Sequence, residues 1–280
     1  MEFLRPTTVD EVLEALALRA GRARLLAGGT DLVVRIKDGL ETPHTLISLG
    51  RCADLRGIRE EGPEIVIGAM TTHEELVRSI FLRRLAPVLC EAAAEIGSLQ
   101  IRNRGTVGGN LVNASPAADL VPALHVLEAV LVLRSRSETR NLPVGELAVG
   151  PKATCLRPEE LLVEVRFARP APDEFQRFAK LGQRKALACA KLSLAFRSRW
   201  DGVALRNVRV AFGAVAPTVI RARRVEAVLE GAPPTNEVVA RAVAEAEAEV
   251  SPIDDVRSTA AYRRTACGEL LRRALASSYT

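Results

Sequence analysis

Aromatic residues, cysteine and histidine are all scarce in this 280-residue chain, and each shortage excludes a class of function. Only 4% of positions are Phe, Trp or Tyr, so a nucleic acid would find few stacking platforms, and the net charge of +5 is spread along the chain rather than clustered. Nucleic-acid binding is therefore not expected. The five cysteines, Cys52, Cys90, Cys155, Cys189 and Cys267, are odd in number and widely separated. They form no C-x-x-C pair for zinc or an iron–sulfur cluster, and they suggest reduced, mostly buried thiols. His44, His73 and His125 are equally scattered, which gives a histidine metal site no support. No apolar run approaches the roughly 18–20 residues of a membrane-spanning helix, and the start Met1-Glu2-Phe3-Leu4-Arg5-Pro6 lacks a basic region followed by an apolar one. A cytoplasmic chain with no membrane span is expected.

What is present is a globular composition, 48% hydrophobic and 26% charged, sufficient for one large or two modest domains. Thr8 ahead of Val9-Asp10-Glu11-Val12-Leu13-Glu14-Ala15-Leu16 puts acids in a first turn and apolar residues at helical spacing, which predicts a short helix. A strand at 24–26 then runs into the turn Ala27-Gly28-Gly29-Thr30-Asp31, and a helical turn over 32–37 ends near Gly39. Strands are expected at 45–49 and 64–69, a capping box at Thr72-His73-Glu74-Glu75, and one long helix from Ile80 to Glu95. A helix at 120–127 and strands at 129–133 and 160–167 follow. Pro170-Ala171-Pro172-Asp173 has the composition of a linker and places a domain boundary between 1–172 and 173–280. Beyond it, strands at 175–181, 191–197 and 203–215 precede helices at 223–229, 237–250 and 258–276. That order predicts an α+β unit with a three-stranded antiparallel sheet.

Two glycine pairs stand out: Gly28-Gly29 within Ala-Gly-Gly-Thr-Asp, and Gly108-Gly109 within Thr-Val-Gly-Gly-Asn. At sharp turns glycine permits positive φ and lets successive N–H groups form a nest for anionic oxygens. Thr30, Thr106, Asn110, Asn113 and Ser115 add hydroxyl and amide groups beside them. Two such nests could grip the two phosphates of a dinucleotide, although a lone Gly-Gly is more often a structural turn. The whole stretch 97–119 fits neither a helical nor a strand period, and a long irregular segment inside a domain is usually functional. No Walker loop and no G-x-G-x-x-G occurs, which disfavours a nucleotide hydrolase and a Rossmann domain.

Leu25-Leu26-Ala27-Gly28-Gly29-Thr30-Asp31-Leu32, Ile67-Gly68-Ala69-Met70-Thr71-Thr72, Gln100-Ile101-Arg102-Asn103, Thr106-Val107-Gly108-Gly109-Asn110 and Ala114-Ser115-Pro116-Ala117-Ala118-Asp119 together resemble the FAD-binding medium subunit of molybdenum hydroxylases. That family includes the carbon monoxide dehydrogenase medium subunit and the flavin domain of xanthine dehydrogenase. Lys180-Leu181-Gly182-Gln183-Arg184 and Phe212-Gly213-Ala214-Val215-Ala216-Pro217-Thr218 extend the likeness over nearly the whole chain. The resemblance implies an α+β, non-Rossmann FAD-binding domain of two lobes, of the vanillyl-alcohol-oxidase-like (PCMH) kind, followed by a smaller α+β C-terminal domain. It implies that Leu25, Leu26, Ala27, Gly28, Gly29, Thr30, Asp31 and Leu32, with Thr106, Val107, Gly108, Gly109 and Asn110, line the pyrophosphate. Ser115 and Asp119 would lie near the ribityl or phosphate groups, and Leu162 and Lys180 near the flavin ring. A Lys180 charge at the pyrimidine end of that ring would favour anionic reduced flavin.

There are departures from the family pattern. Ala188-Cys189 stands where relatives often carry an acidic and an apolar residue, and Ile96 takes the place of the aromatic that stacks on adenine in some relatives. Arg102 and Arg104 fit phosphate binding, pairing with a partner subunit or a solvated surface equally well. Asp31 and Asp119 could also be taken as an acid/base pair, but no nucleophile–His arrangement accompanies them. The expected function is an FAD-binding electron-transfer subunit, passing electrons from the 2Fe-2S clusters of a partner through FAD to an external acceptor. Molybdopterin on a large subunit and 2Fe-2S clusters on a small one are implied as partners, in a dimer of heterotrimers. The alternatives are a stand-alone flavin oxidoreductase and a non-catalytic nucleotide-binding module.

Overall fold

The computed structural model describes the chain apart from residues 20, 185, 186, 279 and 280. The first lobe holds β1 (Glu2–Leu4), α1 (Val9–Arg19), β2 (Ala23–Leu26), α2 (Leu32–Lys37) and β3 (Thr45–Ser48). Its three strands are parallel in the order β1-β3-β2. Helix α1 begins where expected: Glu11 N–H donates to Thr8 Oγ1, and Val12, Leu13 and Leu16 go under it into a local core.

The second lobe contains β4 (Ile58–Glu61), β5 (Glu64–Gly68), α3 (His73–Arg78), α4 (Ile80–Leu85), α5 (Pro87–Ala94), α6 (Leu99–Arg102), α7 (Val107–Val112), α8 (Leu120–Val126), β6 (Val130–Arg134), β7 (Thr139–Pro143), α9 (Val144–Leu147), β8 (Ala148–Gly150), β9 (Ala153–Thr154) and β10 (Leu161–Ala168). Five of these strands form an antiparallel sheet in the order β4-β5-β10-β6-β7, and β8 pairs with β9. The Thr72–Glu75 capping box heads α3 in both directions.

The expected single helix over 80–95 is two helices. Proline has no N–H and crowds the preceding turn, so the helix stops at Leu85 and restarts with Pro87 at its first position. The stretch 97–119 is also more regular than expected, because α6 and α7 occupy it; each is a turn or so long, below the length at which periodicity can be read.

The C-terminal unit comprises β11 (Glu174–Leu181), β12 (Leu192–Trp200), β13 (Leu205–Gly213), β14 (Ile220–Arg221), α10 (Arg223–Leu229), α11 (Asn236–Glu249) and α12 (Ala260–Ala276). Its antiparallel sheet has four strands rather than three, since Ile220 and Arg221 return to pair with Phe212 and Ala211. Two residues are too few to show alternation in the sequence. Leu192, Leu194 and Phe196 of β12 face the core shared with α10–α12, while Ala195 joins the core of the second lobe. The sheet is thus covered on both faces.

Alternate residues of β11 make three of the hydrogen bonds between the units. Gln176 Nε2 donates to Leu85 O at 2.9 Å, Phe178 N–H to Glu91 Oε2 at 2.7 Å, and Lys180 Nζ to Glu95 O at 2.8 Å. The Leu85 carbonyl is the last of α4, and the Leu89 N–H that a continuous helix would offer it goes to Ala86 O instead, so Gln176 satisfies a carbonyl orphaned by the helix end. Gln176→Leu should therefore strip a buried carbonyl of its partner and lower stability by about 1–3 kcal/mol, measured by urea unfolding; an unchanged midpoint would remove this strut from the interface.

Candidate functional site

Strand β2 delivers the chain into the turn at 27–31. Gly29 has φ +77°, the left-handed conformation expected of it. Gly28 is needed for another reason: a Cβ on it would lie 1.9 Å from Arg104 O, so the backbone of 104–105 passes directly over the turn. Leu25 and Ala27 pack beside the first-lobe core, Leu26 and Thr30 are half-buried, and Leu32 opens α2, none of whose residues is buried. Among the described residues no protein acceptor meets the backbone N–H groups of Gly28, Gly29, Thr30 and Asp31. Four successive N–H groups without a protein acceptor are suited to anionic oxygens.

The second glycine pair behaves differently from expectation. Gly108 and Gly109 lie in the first turn of α7 without positive φ, and their donors are occupied. Val107 N–H donates to Thr71 O, Gly108 N–H to Ala69 O at 2.8 Å and Gly109 N–H to Thr106 Oγ1, which is the N-cap. A Cβ on Gly108 would meet Ala69 Cβ and O at 2.9 Å, so this glycine permits close packing of α7 on the 69–72 loop and not a second nest. His73 N–H donates to Gly105 O, and Thr72 bridges Thr106. Beneath Gly105 the His73 ring is buried; burial first, then the Arg102 charge, lowers its pKa to about 4 and keeps it neutral. Asn110 Oδ1 is buried without a protein partner.

The 113–119 segment collects contacts from four distant parts of the chain. Asn113 Nδ2 donates to Asp31 Oδ2 at 3.2 Å, and Lys152 Nζ reaches both Asn113 Oδ1 at 2.8 Å and Asp31 Oδ2 at 3.3 Å. The Lys152 N–H donates to Ala114 O, and Ala214 N–H to Pro116 O, both at 2.8 Å. Ser115 Oγ accepts from Ala117 N–H. Asp119 pairs with Lys180 at 2.7 Å, with the two side chains 8% and 5% exposed. Burial pushes the Asp119 carboxyl up to about 6 against the lowering pull of Lys180, and its Oδ1 has no protein partner. Asp31 and Asp119 therefore each answer to a separate lysine and form no acid/base pair.

Leu162 stands apart from this group. It is 4% exposed in β10 opposite Leu133, a member of the second-lobe core. Arg102 is taken up internally, by Glu74 Oε2 and the Ala94 and Ile96 carbonyls, whereas the Arg104 side chain is exposed. Lys152 had no signal in the sequence beyond the Gly150-Pro151 turn dipeptide, which marks a turn and not its contacts. A surface depression of about 530 Å³ between α1 and the β6–β7 hairpin shares no residue with this region.

The donor set fits FAD. Free backbone N–H groups match diphosphate oxygens, and the unpartnered Asn110 and Asp119 oxygens match the hydroxyl donors of a ribityl chain.

Comparison with known proteins agrees. Residues 1–170 match the family described as FAD binding domain in molybdopterin dehydrogenase, and 177–278 the CO dehydrogenase flavoprotein C-terminal domain. The chain is 35% identical over 279 residues to the carbon monoxide dehydrogenase medium chain of Hydrogenophaga pseudoflava, covering 99% of this chain and 96% of that one. It is 31% identical over 267 residues to the xanthine dehydrogenase FAD-binding subunit of Escherichia coli O157:H7, covering 93% and 90%. The solved carbon monoxide dehydrogenase from Hydrogenophaga pseudoflava superposes with a TM-score of 0.96 at 34% identity over 99% of this chain and 96% of that one. Quinoline 2-oxidoreductase from Pseudomonas putida 86 gives 0.93 at 25% identity over 99% and 96%.

Two outcomes follow from the geometry. Gly28→Ala should cost about 1–3 kcal/mol, because backbone must part to admit the methyl group, whereas Gly50→Ala, whose nearest atom is Ser48 Oγ at 3.6 Å, should melt close to wild type. Equal melting temperatures would contradict the close approach. Asp119, titrating near 6 when folded against an ordinary 3.8, binds its proton more tightly in the folded chain. Stability conferred by protonated Asp119 is thus lost as pH rises between those values. Relative to Asp119→Asn, wild-type stability should decline from pH about 4 to about 6 and level off above; a flat difference across urea titrations would refute the raised value.

Proposed function

Since the chain belongs to the family of FAD-binding medium subunits of molybdenum hydroxylases, an oxidoreductase family, we propose that it takes electrons from the 2Fe-2S clusters of a small subunit and passes them through FAD to an external acceptor. The observation that carries this reading is the match to both family domains across a chain that spans 96% of the carbon monoxide dehydrogenase medium chain. A molybdopterin-bearing large subunit completes the assembly, as a dimer of heterotrimers in the cytoplasm. Relatives named for carbon monoxide, xanthine and quinoline share this fold, which supports placing substrate choice on the large subunit.

When bound, FAD supplies the redox chemistry; this chain supplies position and electrostatics. Residues 25–32 would hold the pyrophosphate through the N–H groups of Gly28–Asp31. Thr106, Val107, Gly108 and Gly109 would back that turn from α7. Asn110, Ser115 and Asp119 would receive hydroxyl groups, and Leu162 would contribute packing from β10. Lys180, already neutralised by Asp119 at 2.7 Å, would bring less net positive charge to the flavin than a lone lysine.

The purified chain should be yellow and release FAD, and co-expression with molybdopterin and 2Fe-2S subunits should yield one complex whose substrate turnover the isolated chain lacks. A colourless chain that FAD cannot reconstitute would overturn the assignment, and turnover by the chain alone would overturn the subunit role. Within the complex, Lys180→Ala should shift the flavin potential; an unchanged potential would remove Lys180 from the cofactor's surroundings.

A further inference from the structure

The stretch Phe212-Gly213-Ala214-Val215-Ala216-Pro217-Thr218 has no part in the cofactor surroundings assigned above, yet there the C-terminal sheet reaches the 113–119 segment. A Cβ on Gly213 would lie 2.5 Å from Ser193 Oγ and 3.1 Å from Pro122 Cγ, so glycine lets the end of β13 approach α8. Ala214 then takes φ +62°, a left-handed conformation unfavourable to a residue with a side chain. Both its backbone groups are used in that conformation: the N–H donates to Pro116 O at 2.8 Å, and the carbonyl accepts from Arg263 Nη1 at 3.0 Å. Arg263, on α12, has a side chain only 3% exposed, and its Nη2 lies 2.5 Å from Asp255 Oδ1. Burial raises the Asp255 pKa, but hydrogen bonds from Arg257 and Arg263 overcome that and hold the carboxyl well below its usual range. The planar guanidinium donates to a carboxylate and a carbonyl at once, which a lysine ammonium does less rigidly.

We infer that Arg263 is a positioning residue for the cofactor segment: held by Asp255, it fixes Ala214, and Ala214 fixes Pro116 between Ser115 and Asp119. The C-terminal unit is then required for cofactor retention although, among the described residues, no hydrogen bond joins α12 to the segment directly. This rests on the assignment of 113–119 to the FAD site.

The test uses the full chain with Arg263→Gln, Arg263→Lys and Asp255→Asn, reading FAD affinity by flavin fluorescence and local opening by amide exchange. Arg263→Gln should weaken FAD binding about tenfold, equivalent to about 1.4 kcal/mol, and speed exchange at Ala214 and across 113–119 while β5, β6 and β10 stay protected. Arg263→Lys should fall between wild type and Arg263→Gln. Unchanged affinity and local exchange in a folded variant would overturn the inference, as would faster exchange spread uniformly over the chain, which marks a purely structural arginine. Should Arg263→Gln fail to fold, the other two variants carry the same comparison. If the wild-type chain binds no FAD, the proposed function fails, while exchange at Ala214 and 113–119 still decides whether the strut exists.

Discussion

The candidate site depends on one approach of backbone to backbone, where Arg104 and Gly105 cross Gly28 with no room for a methyl group. That crossing joins the end of β2, in the first lobe, to the loop between α6 and α7, in the second. The loop is itself fixed from beneath, because Gly105, Val107 and Gly108 exchange hydrogen bonds with Ala69, Thr71 and His73 just past β5. The ends of two strands from different sheets are thereby locked at one point. Among the described residues the N–H groups of 28–31 meet no protein acceptor, while the 104–108 backbone that crosses them is bonded to 69–73. A site of this kind is built from main chain, so its specificity for residue type is largely a demand for glycine.

The C-terminal unit meets this arrangement through a register. Gln176, Phe178 and Lys180 are alternate residues of β11 and share a face, so a slip of one residue would turn all three away from α5. Lys180 reads the register most strictly, since misplacing it would leave Asp119 buried without a counter-charge. Burying two ions together contributes little net stability, because desolvation offsets their attraction. Breaking the pair is costly, which makes it a device for selecting one docking geometry. The same docking brings Ala214 to Pro116, so the register and the placement of 113–119 are set together.

Much of the fold was legible in the sequence because it follows period and punctuation. Helix α1, the Thr72 capping box and the long strands of the C-terminal unit all show local signals that the structure retains. The misses have physical causes of two kinds. Pro87 breaks a pattern that remains apolar and helical on both sides, so periodicity alone cannot see the break. At the site, the sequence shows two similar glycine pairs, but one uses positive φ and a backbone crossing and the other only tight helix packing. That difference lies in what each pair faces across the fold. Lys152 and the Asp119–Lys180 pair were beyond local inspection for the same reason, being contacts between residues far apart in the chain.

Backbone strain gives an independent view of where the fold is under constraint. Among the described residues, six other than glycine have positive φ: Ala114, Glu128, Lys152, Leu187, Asn207 and Ala214. Such conformations cost about 1–2 kcal/mol each and persist where the surroundings over-determine them. Three of the six converge on one segment, through Lys152 N–H to Ala114 O and Ala214 N–H to Pro116 O. Asn113 and Asp119 flank these bonds and are tied to Lys152 and Lys180 in turn. Asn207 sits singly at the irregularity of β13, its N–H on Glu230 Oε1, and Glu128 singly beyond α8, its carboxylate between Arg209 and Arg221. The strain gathers on 113–119 because that segment must satisfy two lobes and the C-terminal unit at once. Strain of this kind gathers at binding sites, and here it lies next to the unpartnered buried oxygens of Asn110 and Asp119.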